Sequence, residues 1–267
     1  GSGNFRDHQE VVIMALYLGS KKVAVTNTIE KQVPSMKAFF EAGGKCANSV
    51  ATSFEGSWQF DDTANVIDMS GMFENCTSLK TIPLFDTSKV TNMISMFNKC
   101  YSLTTVPLLN TSSVMYMIQT FNTCTKLTTV PLFDTSNVTD MSDMFYHCPS
   151  LSEVPLFNTT KVTNLELMFS NCTNLTSIPA FDAKNVRSMN NMFHSCSGLE
   201  EIHIININAS FYISASTKFT REALLEIIGN LKAQTSGNKT LTMGSTNLAK
   251  LTDEDKAIAT NKGWTLA

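Results

Sequence analysis

The residues able to do chemistry fall into columns. Six of the seven cysteines, Cys76, Cys100, Cys124, Cys148, Cys172 and Cys196, are spaced 24 residues apart. Thiols so placed offer disulfide bridging or metal ligation. A disulfide needs converging Cβ vectors, and zinc needs its ligands gathered around one point. Equivalent positions in stacked repeats form a ladder instead, with side chains about 5 Å apart and pointing the same way. The cysteines are therefore expected to be buried apolar fillers. His147 beside Cys148 and His194 near Cys196 are expected at the surface. Asp86, Asp134 and Asp182 form a carboxylate column, but Asn110 and Asn158 stand in the same column. An Asn in place of Asp disables a general acid yet leaves a turn hydrogen bond intact. No nucleophile elbow, Gly-rich phosphate loop or metal-binding helix motif is present. No catalytic, cofactor-binding or metal-ligating residue is assigned, no cofactor is expected, and the chain is expected not to be an enzyme.

What positions these columns is a repeat. Phe73, Phe97, Phe121, Phe145, Phe169 and Phe193 keep the 24-residue step, as do columns of Val (Val66 to Val186) and Leu (Leu79 to Leu199). Met69, Met93, Met117, Met141 and Met189 form a further column that Leu165 completes. One unit cannot bury its own apolar side, so a fixed period of this size predicts a solenoid with a continuous core. The Met and Phe columns belong to that core. In the unit LTTVPLFDTSNVTDMSDMFYHC (127–148), Leu127, Val130 and Leu132 keep the L-x-x-L-x-L spacing of a short strand in a parallel sheet. Val138, Met141, Met144, Phe145 and Cys148 recur at three and four residues, which predicts about two helical turns. Asp134 to Ser136 supply turn chemistry between them. Asp140, or Asn92 and Asn164 in other units, fits the N-cap. A proline interrupts each strand segment, at Pro83, Pro107, Pro131, Pro155 and Pro179. Proline donates nothing to a ladder, so the ladder is expected to span two or three residues.

These units resemble the BspA-like leucine-rich repeat proteins, of gut-bacterial or phage type, in the branch whose repeats read FDTSxVTxMxxMFxxCxxL. The likeness covers residues 58–204, with VPLF where many members have a longer strand segment. Columns and resemblance together predict an α/β repeat: a leucine-rich-repeat solenoid with short parallel β-strands on one face and short helices on the other. An irregular N-cap and a helical C-terminal cap are expected to close it. The resemblance implies a bacterial cell-surface or phage-associated protein that binds host or matrix molecules. It carries over no catalytic residue.

The repeats divide the chain into an N-terminal cap with a degenerate repeat (1–57), regular units (58–204) and a C-terminal cap with longer helices (205–267). KQVPSMKAFF (31–40) aligns with SKVTNMISMF (88–97), which puts Cys46 in the leucine column of a decayed repeat. Residues 4–30 fit either a helix after Asp7, with Glu10 completing a capping box, or a hairpin turning at Gly19. Residues 219–231 predict a helix capped by Thr220, with Ala223, Leu224, Ile227, Ile228 and Leu231 on one face. Residues 240–243 read as a strand. Residues 252–263 read as a helix capped by Thr252 and stopped at Gly263, and Trp264 and Leu266 close the last coil. The ending also resembles C-termini of repeat proteins from gut bacteria and their phages.

Composition narrows the partners. Formal charge is −3 with no basic run, which argues against nucleic acid and against a polybasic membrane-binding segment. The longest apolar run, VVIMALYL (11–18), is too short to span a bilayer, so no membrane insertion is expected. The leading GSG reads as a cloning scar, with a signal segment expected to have been removed. An extracellular or cell-surface location, or a virion, is the expectation. The eight N-x-S/T matches are attributed to turn chemistry, not to glycans.

Two candidate binding surfaces follow. On the sheet face, outward positions include Thr105, Pro107, Thr129, Pro131, Glu153, Pro155, Ser177 and Glu201. In solenoids an extended sheet is the common binding surface, and the expected partner is a host or matrix protein or a surface glycan. On the helical side, Ile94, Met115, Tyr116 and Ile118 replace polar residues of other units. They predict an exposed apolar patch suited to self-association. The expected function is recognition, as an adhesin or receptor-binding protein. The alternative is a structural or tail-associated virion component with the solenoid as spacer.

Overall fold

The computed structural model describes residues 15–18, 21–24, 45–47, 63–235 and 238–267. From residue 63 the chain winds in 24-residue coils whose equivalent positions stack. Parallel bridges join Asp68, Asn92, Tyr116, Asp140, Asn164 and Ser188 in succession. Beyond each bridge, alternate N–H groups donate to the next coil. Met117, Gln119, Phe121 and Thr123 donate to the carbonyls of Asp140, Ser142, Met144 and Tyr146 at 2.7–3.1 Å.

This ladder corrects the expected helices. The intervening N–H groups close β-turns within their own coil: Thr120 donates to Met117 O, Asn122 to Gln119 O and Cys124 to Phe121 O. A helix would consume every N–H internally and leave none for the neighbouring coil. Each coil adopts left-handed backbone at two positions four residues apart, such as Gln119 (φ 56°) and Thr123 (φ 59°), or Asp143 and His147. Positive φ at the third residue of a turn is the type II requirement. Overlapping turns repeat at three-residue steps, so Val138, Met141, Met144, Phe145 and Cys148 are all buried without any helix. Asn92, Asp140 and Asn164, expected as helix N-caps, have no helix to cap and close local side-chain turns instead. Each side-chain oxygen accepts the N–H two residues on, at 2.8–3.0 Å.

The strand face keeps the expected short parallel pairing in one place and is shorter than expected in the other coils. Within the coils the described residues form one two-residue pair there, β4 (Ser177–Ile178) with β5 (Glu201–Ile202), parallel. Elsewhere the coils touch through single bonds, such as Thr104 N–H to Lys80 O and Ser152 N–H to Thr128 O. The proline column explains the difference. β5 leads into His203, which occupies the proline position, and its N–H reaches Ile178 O at 2.9 Å. There burial alternates, with Ile202 and Ile204 inside. In the proline coils it repeats every third residue: Leu127, Val130 and Phe133 are buried and Leu132 is exposed. Three residues per turn is the polyproline II period that proline's fixed φ favours. Phe133 N–H then closes a tight turn on Pro131 O at 2.9 Å. The expected inward Leu132 is therefore outward, and Phe133 takes its place in the core.

Most polar side-chain atoms of the core are paired across the stack, Asn98 Oδ1 being a buried exception. Phe73, Phe97, Phe121, Phe145, Phe169 and Phe193 stack face to face at 5.3–6.2 Å. The buried threonines of the DTS corner, Thr87, Thr111, Thr135 and Thr159, donate to the next coil's carbonyls at 2.8–3.0 Å. The six column cysteines are free and buried. Thiols of Cys100 through Cys196 each donate to a phenylalanine carbonyl of the preceding coil at 2.8–3.1 Å.

After the regular coils, Ile207 still bridges to Leu231, and β6 (Phe211–Tyr212), β7 (Lys239–Thr242) and β8 (Trp264–Leu266) form a parallel sheet. Helix α1 (Arg221–Gly229) starts at Thr220, whose hydroxyl accepts Ala223 N–H. Its buried face is Leu224, Ile227 and Ile228. A short α2 (Ser245–Leu248) precedes α3 (Asp253–Asn261), which opens on a Thr252–Asp255 capping box. Arg221 grips Asp255 with two bonds of 2.8 and 2.6 Å, tying α1 to α3. At the other end, β1 (Ala15–Leu18) pairs antiparallel with β2 (Lys21–Ala24), flanking Gly19, and with β3 (Lys45–Ala47). Cys46 thus lies in an antiparallel strand, and residues 31–44 of the expected decayed repeat fall outside the described residues.

Candidate functional site

One outward surface is built by the segment between the leucine column and the DTS corner. Its three-residue period buries every third position and sends the four between them, such as Thr128, Thr129, Pro131 and Leu132, towards solvent. Thr105, Glu153 and Glu201 are exposed, while Pro107, Thr129, Pro131, Pro155 and Ser177 are half-buried. The stripe absent from the sequence expectation is a column of leucines. Leu84, Leu108, Leu132 and Leu156 are 57–66 % exposed on four successive coils. Each follows a column proline. The signal was present in the sequence: a proline inside the strand segment calls for period three rather than two.

Beside Leu84 and Leu108 lies an open depression of about 500 Å³, with Phe85 and Thr87 beneath and Asp86 and Asn110 at its rim. The corner carboxylates are structural. Ser88 N–H donates to Asp86 at 2.8 Å and Ser136 N–H to Asp134 at 3.0 Å, while Asn110 and Asn158 accept the same bond from Ser112 and Thr160. The Ser88 backbone N–H holds the Asp86 carboxyl below its ordinary range, and the Ser136 hydroxyl and N–H do so for Asp134. These acids are ionised acceptors, with Asn an equal substitute.

The turn side carries the second candidate surface. Met115 and Tyr116 are 42 % and 41 % exposed, and Ile94 and Ile118 are half-buried. Met115 N–H bonds Thr91 O and Thr91 N–H bonds Ile67 O, so the exposed Ile67 lies two coils along in Met115's column. Tyr116 is bridged to Asn92 and Asp140, and Ser95 N–H reaches Ile118 O at 2.9 Å, which sets Ile94 and Ile118 on adjacent coils.

The cysteine column is chemically quiet. Burial pushes the Cys148 and Cys196 thiols up to about 12, and Cys124 and Cys172 rise well above their ordinary value for the same reason. His203 bridges two elements. Its Nδ1 lies 2.7 Å from Glu226 of α1 and its Nε2 3.3 Å from Glu201 of β5. The bond to Glu226 raises its pKa. Among the described residues no three His, Cys, Asp or Glu side chains gather as metal ligands, and no helix is long and apolar enough to cross a membrane.

A family described as Mycoplasma protein of unknown function, DUF285, matches residues 35–153 and 104–206. A crystal structure of T. pallidum Leucine Rich Repeat protein (TpLRR) is similar to this chain at 20 % identity, covering 70 % of this chain and 84 % of that one with a TM-score of 0.43. No curated protein matches the chain.

Proposed function

The chain belongs to the DUF285 family, and from that premise we propose that it is a non-enzymatic recognition module, an extracellular adhesin or receptor-binding protein. The observation that carries this is the exposed leucine column beside the proline column. Leu84, Leu108, Leu132 and Leu156 repeat at the spacing of stacked coils on a scaffold held by hydrogen bonds from coil to coil. Contiguous exposed aliphatic surface is characteristic of protein interfaces. It favours a protein partner, a host or matrix protein, over a glycan on this face, and proline adds shape without conformational freedom to lose. The location this implies is the cell surface or the extracellular space. Surface plasmon resonance against immobilised matrix proteins tests it. A Leu108→Glu/Leu132→Glu variant should lose at least about tenfold in affinity, the value of 1.4 kcal/mol. Unchanged binding to every protein that captures the parent chain defeats the proposal.

A second reading rests on the turn side. Ile67, Met115 and Tyr116 expose apolar surface next to Ile94 and Ile118, a surface suited to self-association in a structural or tail-associated virion component. Light scattering decides it: Tyr116→Asp should dissociate an oligomer, and a monomeric parent chain excludes this reading.

A further inference from the structure

Past the DTS corner, on the later coils, an open depression of about 510 Å³ is lined by Lys161, Lys184 and Arg187 together with Thr139, Thr163 and Asn208. The cations are incompletely neutralised. Lys161 Nζ rests on the neutral Asn137 Oδ1 at 2.7 Å. Lys184 pairs with Asp182 at 3.4 Å, but that carboxylate also accepts from Asn206 Nδ2 at 3.0 Å and from the Lys184 N–H at 3.0 Å. The exposed Arg187 has no carboxylate partner among the described residues. Of the three cations only Lys184 has a carboxylate partner among the described residues, in a chain whose formal charge is −3.

Asn208 accepts from Lys239 Nζ through its backbone carbonyl and, at 2.7 Å, through Oδ1. Burial and the nearby Lys232 charge depress the Lys239 ammonium. We propose that this depression is a binding site for an acidic glycan, a saccharide bearing sulfate or carboxylate groups. Lys161, Lys184 and Arg187 match its anions by charge-assisted bonds. The Thr139 and Thr163 hydroxyls donate to Met115 O and Thr139 O, which leaves their oxygens to accept from sugar hydroxyls, and Asn208 Nδ2 remains to donate to them. An extended acidic peptide fits less well. Backbone addition needs unpaired N–H groups, and here Arg187 N–H is already bonded to Thr163 O and Thr163 N–H to Thr139 O. No aromatic ring lines the depression, so there is no platform for stacking nucleobases.

The test is fluorescence anisotropy with three labelled probes: dextran sulfate, uncharged dextran and poly-glutamate. Dextran sulfate should bind and uncharged dextran should not. Lys161→Gln/Arg187→Gln should weaken dextran sulfate binding at least about tenfold, since each lost charge-assisted bond is substantial. Lys80→Gln/Lys126→Gln removes the same charge from two other exposed lysines and should change it by less than about twofold. The Leu108→Glu/Leu132→Glu variant should bind dextran sulfate as the parent chain does, which separates this site from the leucine column. No binding, equal loss in the control variant, or poly-glutamate binding as tightly as dextran sulfate overturns the assignment.

Discussion

Replacing two adjacent residues, Leu132 and Phe133, tests the coil geometry. Leu132 is 60 % exposed, so it keeps roughly 40 % of a leucine's burial, about 0.6–1.2 kcal/mol out of the 1.5–3 for a fully buried side chain. Phe133 is buried and lies 6.1 Å from the Phe121 ring in the stack. Phe133→Ala should cost about 3–5 kcal/mol, with the ring pair contributing about 0.5–1.5 of it. With a urea m-value of about 3 kcal/mol/M, the midpoint should fall by about 1–1.7 M for Phe133→Ala and by about 0.2–0.4 M for Leu132→Ala. Strand alternation with Val130 and Leu132 inside predicts the opposite order. A Leu132→Ala variant as damaged as Phe133→Ala would refute period-three packing, and with it the outward leucine column.

His203→Pro restores the column residue and deletes the N–H bond to Ile178 O; compared with His203→Ala, which equally lacks the bonds to Glu226 and Glu201, thermal unfolding should show a loss of about 0.5–1.5 kcal/mol, whereas no difference would show that the proline does not govern strand pairing. Because Glu226 raises the His203 pKa, the charge contribution of that bridge is full below the unfolded histidine value and fades as pH rises through the folded one. The parent chain's advantage over His203→Gln should therefore shrink from pH 5.5 to pH 8.5, and a constant difference speaks against the bridge. Asp143 is half-buried, and burial first, then Glu166 and Asp140, raise its pKa, so its ionisation opposes folding; Asp143→Asn should stabilise at pH 7 and lose that gain near pH 3, by urea titration at both pH values. The six column thiols should resist iodoacetamide at pH 8 in the folded chain and react in urea, and native labelling at Cys148 would contradict its burial.

What the sequence by itself determined is the period and the main apolar columns of the core. The cysteine, phenylalanine and methionine columns are buried because apolar residues at equivalent positions of stacked coils share one environment, and that follows from the 24-residue step and the residue types; the burial of the threonine column does not. The ends of α1 and α3 were equally legible, since Thr220 and Thr252 are local caps whose bonds span three residues. Intercoil hydrogen bonding decided the rest. Spacing of three and four residues is common to a helix and to overlapping β-turns, and they separate when Gln119 and Thr123 turn left-handed and send alternate N–H groups to the next coil. The outward leucines lay in between. Proline announces its fixed φ in the sequence, but only packing shows that Phe133, not Leu132, completes the turn inward. The basic depression was least legible, because Lys161 and Arg187 are 26 residues apart and meet only when one coil stacks on the next.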